Sequence, residues 1–287
     1  MAAVTPHSFQ TPDGVEVAAF DFGGTGPDVV FAHATGFHAF VWQPVIDCLL
    51  DSFRCVAFDT RGHGDSGKAP GDDYDWSNLT IDLATVVEGF ALRRPFGAGH
   101  SCGGALLLQL EQAAPGTFRA LYGFEPVVVP AGVTIPREAP AGPNPMAEGA
   151  RRRRAVFSSC QEAFDNYAAK PMYERCRPEA LWAYVNHGFA DRPDGQVELK
   201  CRPEDEARVF SMGMSSRTFD GLDAVRCPVT LARGEDSGFP FDAATVAAVA
   251  RPLAHARTEV LPGLTHLGPL EDPGLVARHI RAAFAAG

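Results

Sequence analysis

The chain has 287 residues, 46% hydrophobic and 21% charged, a composition that supports a sizeable core and excludes a disordered polypeptide. A formal net charge of -10 repels phosphate backbones at long range, which argues against bulk nucleic-acid binding. Seven scattered cysteines form no C-x-x-C pair, so no zinc or dithiol redox site is predicted and a reducing compartment fits best.

Residues 1–10 carry no basic start followed by an apolar run, and nowhere is there a stretch of about 18 apolar residues. A cytoplasmic protein that neither enters nor spans a membrane is expected. Residues 15–22 alternate like a strand and run into a glycine-rich turn; residues 28–32 and 53–58 are short apolar runs suited to buried strands. Residues 79–92 are predicted helical, 96–99 a strand, 105–113 a helix and 120–124 a strand. Strands alternating with helices imply βαβ units and a parallel sheet covered on both faces.

The rhythm then breaks. Residues 126–145 are rich in Pro, Gly and Ala and read as a linker or ordered loop, and residues 146–220 hold helical segments without convincing parallel strands. It returns with a strand at 228–232, a helix at 242–250, a strand at 258–261 and a helix at 273–285. The expected organisation is one α/β core, residues 1–126 and 221–287, interrupted after its sixth strand by a mainly helical cap, residues 127–220.

Gly99-His100-Ser101-Cys102-Gly103 matches G-x-S-x-G, and it lies between a predicted strand and a predicted helix. A strand that turns this sharply into a helix needs flanking residues without Cβ atoms, and it projects the serine. A serine hydroxyl is a weak nucleophile that needs a base and a group to orient the base. His266 follows the last predicted strand, and Asp236 follows the strand before it, in the chain order serine, acid, histidine. A turn aspartate can equally bond its own backbone. Glu125, at the end of the strand 120–124, is the rival acid.

These motifs, with His33-Ala34-Thr35-Gly36-Phe37 after one strand and Asp59-Thr60-Arg61-Gly62-His63-Gly64-Asp65-Ser66 after the next, resemble the α/β-hydrolase superfamily. The likeness is to its cofactor-free serine esterases, lactonases and perhydrolase-like members with a helical cap, and it covers nearly the whole chain. It implies an α/β-hydrolase fold with a mostly parallel central sheet flanked by helices. It also implies Ser101 as nucleophile, His266 as base, and an oxyanion hole from the amides of Cys102 and Thr35. The segment from Asp59 to Ser66 is architectural in such proteins. The chain departs from the family at Ala34, where glycine is usual, and at Ser237, where the acid usually stands. A one-residue deletion would reconcile Asp236 with that place, and some members carry the acid where Glu125 lies.

His33, Phe37, His38, His100 and Phe157 are further candidates to contact substrate; for His38 and His100, packing behind the pocket is the competing role. The run Arg151-Arg152-Arg153-Arg154 would point to different faces of a helix, so one or two arginines at most could reach a pocket. It is read as a solvated face with one arginine paired to an acid of the cap. Phe157, Phe164, Tyr167 and Trp182 are read as cap core, of which one or two could line the acyl or alcohol pocket.

The predicted activity is cleavage of a carboxylic ester or lactone of a small, fairly apolar substrate, with no metal and no organic cofactor. The partner is that small molecule, not nucleic acid or membrane, and a homodimer stays open. A C–C hydrolase or lyase on the same scaffold, and a non-enzymatic ligand-binding protein, are the alternatives.

Overall fold

A computed structural model describes residues 3–130, 144–213 and 217–285. The first half of the core contains strands β1 (Thr5–Gln10), β2 (Glu16–Gly24), β3 (Asp28–Ala32), β4 (Arg54–Phe58), β5 (Phe96–His100) and β6 (Leu121–Phe124). Among them lie helices α1 (Gln43–Ile46), α2 (Trp76–Gly89) and α3 (Cys102–Ala113). The insert holds α4 (Pro145–Arg151), β7 (Val156–Phe157), α5 (Cys160–Ala168), α6 (Pro178–Gly188), β8 (Phe189–Asp191), β9 (Val197–Leu199) and α7 (Pro203–Gly213). The core resumes with β10 (Val229–Gly234), α8 (Ala243–Ala250), β11 (Ala256–Leu261), α9 (Gly268–Glu271) and α10 (Pro273–Ala285).

One sheet organises the core, in the order β1-β2-β4-β3-β5-β6-β10-β11. The pairs β1–β2 and β2–β4 are antiparallel, and every pair from β4 onward is parallel. This is an α/β-hydrolase fold. Alternation along β3 explains its uninterrupted apolar sequence: Val29 and Phe31 enter one core, Val30 and Ala32 the other, and all four are fully buried. Chain order reverses between β3 and β5, since β3 is followed by β4 on one side and β5 lies on the other. The loops leaving those two strands therefore diverge, and the crevice between them is where open α/β sheets bind ligands.

The strand β1 was not expected as a separate element. Its sequence, Thr-Pro-His-Ser-Phe-Gln, is almost entirely exposed on the sheet edge, so no buried face marks it. Helix α2 starts three residues before the expected position because the Asp75 side chain caps it, accepting from the Ser77 amide at 2.9 Å. In the insert, β7, β9 and β8 form a small antiparallel sheet that the helical expectation did not include; strands of two or three residues are too short to leave a period. The core also reaches further than residues 126 and 221. Val128 is buried in it, and Thr218 accepts from Gln109 of α3 at 2.7 Å. Most of the predicted loop 126–145 lies outside the described residues.

Candidate active site

The turn after β5 holds Ser101 at φ 55° and ψ -115°, a conformation a non-glycine residue adopts only under constraint. Backbone bonds impose it. The Ser101 amide donates to the Phe124 carbonyl at 3.0 Å, and its carbonyl accepts from the Val127 amide at 3.1 Å. The flanking glycines are required by close approach. A Cβ on Gly99 would stand 2.6 Å from the Gly104 nitrogen, and one on Gly103 would stand 2.2 Å from the Ala32 oxygen. Helix α3 begins at the next residue, so its N-terminal amides face the serine.

His266 lies on the loop between β11 and α9. That loop is closed by Glu271, which accepts from the Thr265 amide at 2.7 Å and from the Thr265 hydroxyl. Phe241 stacks on the His266 ring with centroids 4.3 Å apart, and the His100 Nε2–H donates to the His266 carbonyl at 2.7 Å. Nδ1 of His266 is 2.7 Å from Oε2 of Glu125. The other Glu125 oxygen accepts from the Gly234 amide at 2.7 Å, and the residue is fully buried at φ 48°. A carboxylate at Nδ1 puts the neutral ring's proton there and leaves Nε2 with its lone pair.

The loop after β3 is braced from below. The Gly36 amide donates to Nε2 of His63 at 3.0 Å, and the Thr60 amide donates to Nε2 of His33 at 3.0 Å. Both rings must be neutral to accept, and burial holds them so, pushing His63 down to about 4 and His33 well below its usual range. Asp59 accepts from the Ala39 and Asp65 amides at 2.7 and 2.8 Å, and Arg61 is clamped by Asp82 and Asp13. The segment from Asp59 to Ser66 is thus scaffold.

Ser101, His266, His100 and residues 34–37 form the floor of one cavity of about 380 Å³. The insert supplies its walls, among them Met146, Tyr167, Met172, Tyr173 and Phe210, together with Arg153, Lys170 and Glu206. The model of the Alpha/beta hydrolase family matches residues 29–279. The chain belongs to the alpha/beta hydrolase family. An esterase of Mycobacterium tuberculosis is 29% identical over 230 residues, 79% of this chain and 72% of that protein. A non-heme haloperoxidase of Rhodococcus erythropolis is 26% identical over 258 residues, 88% of this chain and 90% of that one. Among solved structures, E-2-(acetamidomethylene)succinate hydrolase superposes with a TM-score of 0.83 at 21% identity, covering 99% of this chain and 100% of its own.

In this alpha/beta hydrolase Asp236 does not meet the histidine, contrary to its ranking as the first candidate acid. Its carboxylate is turned outward and accepts from Arg175 of the insert at 2.6 Å. The next residue, Ser237, is buried, and among the described residues its hydroxyl has no partner. The turn after β10 thus offers a serine on its inner side and an aspartate on its outer side, and the carboxylate comes from β6 instead. Thr35 lines the cavity floor, while Cys102 is buried beside it, its thiol pushed up to about 12 by burial.

Phe37 and His100 line the cavity. Three other candidates do not. His33 spends both ring nitrogens on the scaffold, donating from Nδ1 to the Ala34 carbonyl at 2.8 Å. His38 is buried against α6, where its Nε2–H donates to the Tyr184 carbonyl at 3.0 Å. Phe157 is fully buried between Tyr167 and Phe189 inside the insert.

The arginine run is not on one helix. Helix α4 ends at Arg151, and the chain then leaves toward β7, turning Arg153 inward while Arg151, Arg152 and Arg154 stay toward solvent. Arg153 donates to Glu206, to the Tyr184 hydroxyl and to the Tyr167 hydroxyl, the last at 2.9 Å. Nothing in the spacing of Arg153, Lys170 and Glu206 marks them as neighbours; they meet because α4, α5 and α7 converge above the floor.

Proposed function

We propose that the chain is a serine hydrolase that cleaves a carboxylic ester or lactone of a small, fairly apolar substrate through an acyl-enzyme. The observation that carries this is a strained serine and a histidine oriented by a buried carboxylate, on the floor of a single cavity. Ser101 Oγ attacks the carbonyl while Nε2 of His266 takes its proton. Glu125 holds the ring in that tautomer and stabilises the imidazolium. The amides of Thr35 and Cys102 receive the oxyanion, each worth roughly 3 kcal/mol by comparison with measured cases. The imidazolium then protonates the leaving alcohol, and a water deprotonated by His266 releases the acid.

The cavity volume suits a small substrate, and its wall is largely apolar. The esterase relative supports ester chemistry in a chain of this architecture. A C–C hydrolase would be favoured by an arginine free to grip a substrate carboxylate, but Arg153 is already bonded to Glu206 and two tyrosines.

Turnover of short p-nitrophenyl esters by wild type, Ser101→Ala and His266→Ala tests the reading. Hydrolysis by wild type that falls at least about a thousandfold in either variant is expected. Equal rates in the folded variants would refute it.

A further inference from the structure

Two cations and one anion line the cavity: Arg153, Lys170 and Glu206. Arg153 and Glu206 neutralise each other. Lys170 makes no ion pair with any described residue, yet it is only partly exposed. Its ammonium sits 4.5 Å from the centre of the Tyr167 ring, whose hydroxyl accepts from Arg153. One ring therefore lies within reach of two cations, and of these only Arg153 is ion-paired with Glu206. Burial, and then the nearby Arg153 charge, push the Lys170 amine below its usual range, against a smaller opposite pull from Glu206. The remaining wall is mostly apolar, so among the described residues the charged side chains that line the cavity sum to one positive charge, in a chain whose net charge is -10.

We propose that the substrate carries a single carboxylate remote from its scissile bond, and that Lys170 is the specificity-determining residue that binds it. This rests on the hydrolase reading for its reaction but not for its binding. A carboxylate matches the site better than a phosphate dianion, because only one charge is uncompensated. The Tyr167 face fixes the ammonium, so little side-chain freedom is lost on pairing. The lysine is on the insert's wall while Ser101 is on the core's floor, so a short apolar chain would join the two ends of the substrate.

The test is the kcat/KM of monomethyl glutarate against its neutral isostere, with isopropyl in place of carboxylate. The same comparison is made with the acetate ester of γ-hydroxybutyrate, which carries the charge on the alcohol side. Wild type should prefer the charged member of at least one pair by about tenfold or more, mostly through KM, and added salt should reduce the preference. Lys170→Met should abolish the preference and Lys170→Arg should restore part of it. Equal kcat/KM within both pairs, or a preference that survives Lys170→Met, would overturn the proposal. Calorimetry of monomethyl glutarate with Ser101→Ala protein separates this from failure of the hydrolase reading. Binding that Lys170→Met removes supports the anion site even in a chain without turnover; absence of binding refutes it.

Discussion

Glu125 reaches His266 from the end of β6, one strand away from the turn after β10 where the sequence first places the acid, and the two side chains meet at 2.7 Å. Because its second oxygen accepts from the Gly234 amide, the carboxylate is fixed at both oxygens and buried. An ion pair formed there when His266 gains a proton has its carboxylate wholly out of water, which strengthens it, although the ring keeps a partly exposed edge.

Glu125→Gln should therefore lower kcat by about a hundredfold to ten-thousandfold, since the amide can no longer stabilise the imidazolium and can impose the wrong tautomer. Asp236→Asn should leave kcat within about twofold, because among the described residues the aspartate side chain forms only an exposed pair with Arg175. Steady-state kinetics of the two variants on one ester decides between the acids.

Gly103→Ala should destabilise the fold by about 3 kcal/mol or prevent folding, since the added methyl meets the Ala32 backbone oxygen rather than a side chain that could move. Urea denaturation of wild type and variant measures it, and an unchanged midpoint would contradict the packing described at the turn.

Arg153→Met should cost about 3–5 kcal/mol, because it leaves the buried Glu206 carboxylate without its cation. Arg153→Met combined with Glu206→Gln should recover much of that loss, so the two changes are strongly non-additive. A double-mutant cycle by chemical denaturation reads the coupling.

Stability should fall as pH drops from about 6.5 toward 5. Burial lowers five histidines: half-buried His187 and, more strongly, the four buried rings, His38 to about 3, His63 to about 4, and His33 and His100 well below their usual range. They stay neutral in the native state while the unfolded chain takes up protons, so acid favours unfolding. Burial raises Asp59 to about 7 and Asp82 to about 6, and these oppose the trend because the native state then holds their protons. The four buried histidines against two buried carboxyls, with His187 and Asp47 shifted in opposing senses, leave a slope of roughly 2–3 kcal/mol per pH unit. Denaturation curves at stepped pH check it; stability that is flat or rises on acidification contradicts it.

Much of the core was legible because its signals are local. The strand Asp28–Ala32 and the helix Pro273–Ala285 appear with the bounds expected of them, one as an apolar run between turns, the other as an amphipathic period. The placement of Ser101 on a turn between strand and helix, and of His266 on a loop after the last strand, was legible because these are positions along the chain. The acid was not, because which of two carboxylates faces the histidine depends on the inner and outer sides of a turn, and one residue decides that at Asp236 and Ser237. His33 and His38 looked like site residues by their nearness to Thr35, and only packing shows that their rings point away from the cavity. The charged wall was hidden for a similar reason: Arg153, Lys170 and Glu206 come from three segments, and the end of α4 at Arg151 is what turns one arginine inward.

The most direct test of the account is the intact mass of the protein after reaction with a fluorophosphonate, in wild type and in Ser101→Ala. A single adduct in wild type, mapped by peptide mass to Ser101 and absent from the variant, is the predicted result. No adduct in folded wild-type protein, or an adduct that persists in Ser101→Ala, would contradict an activated serine at the turn after β5.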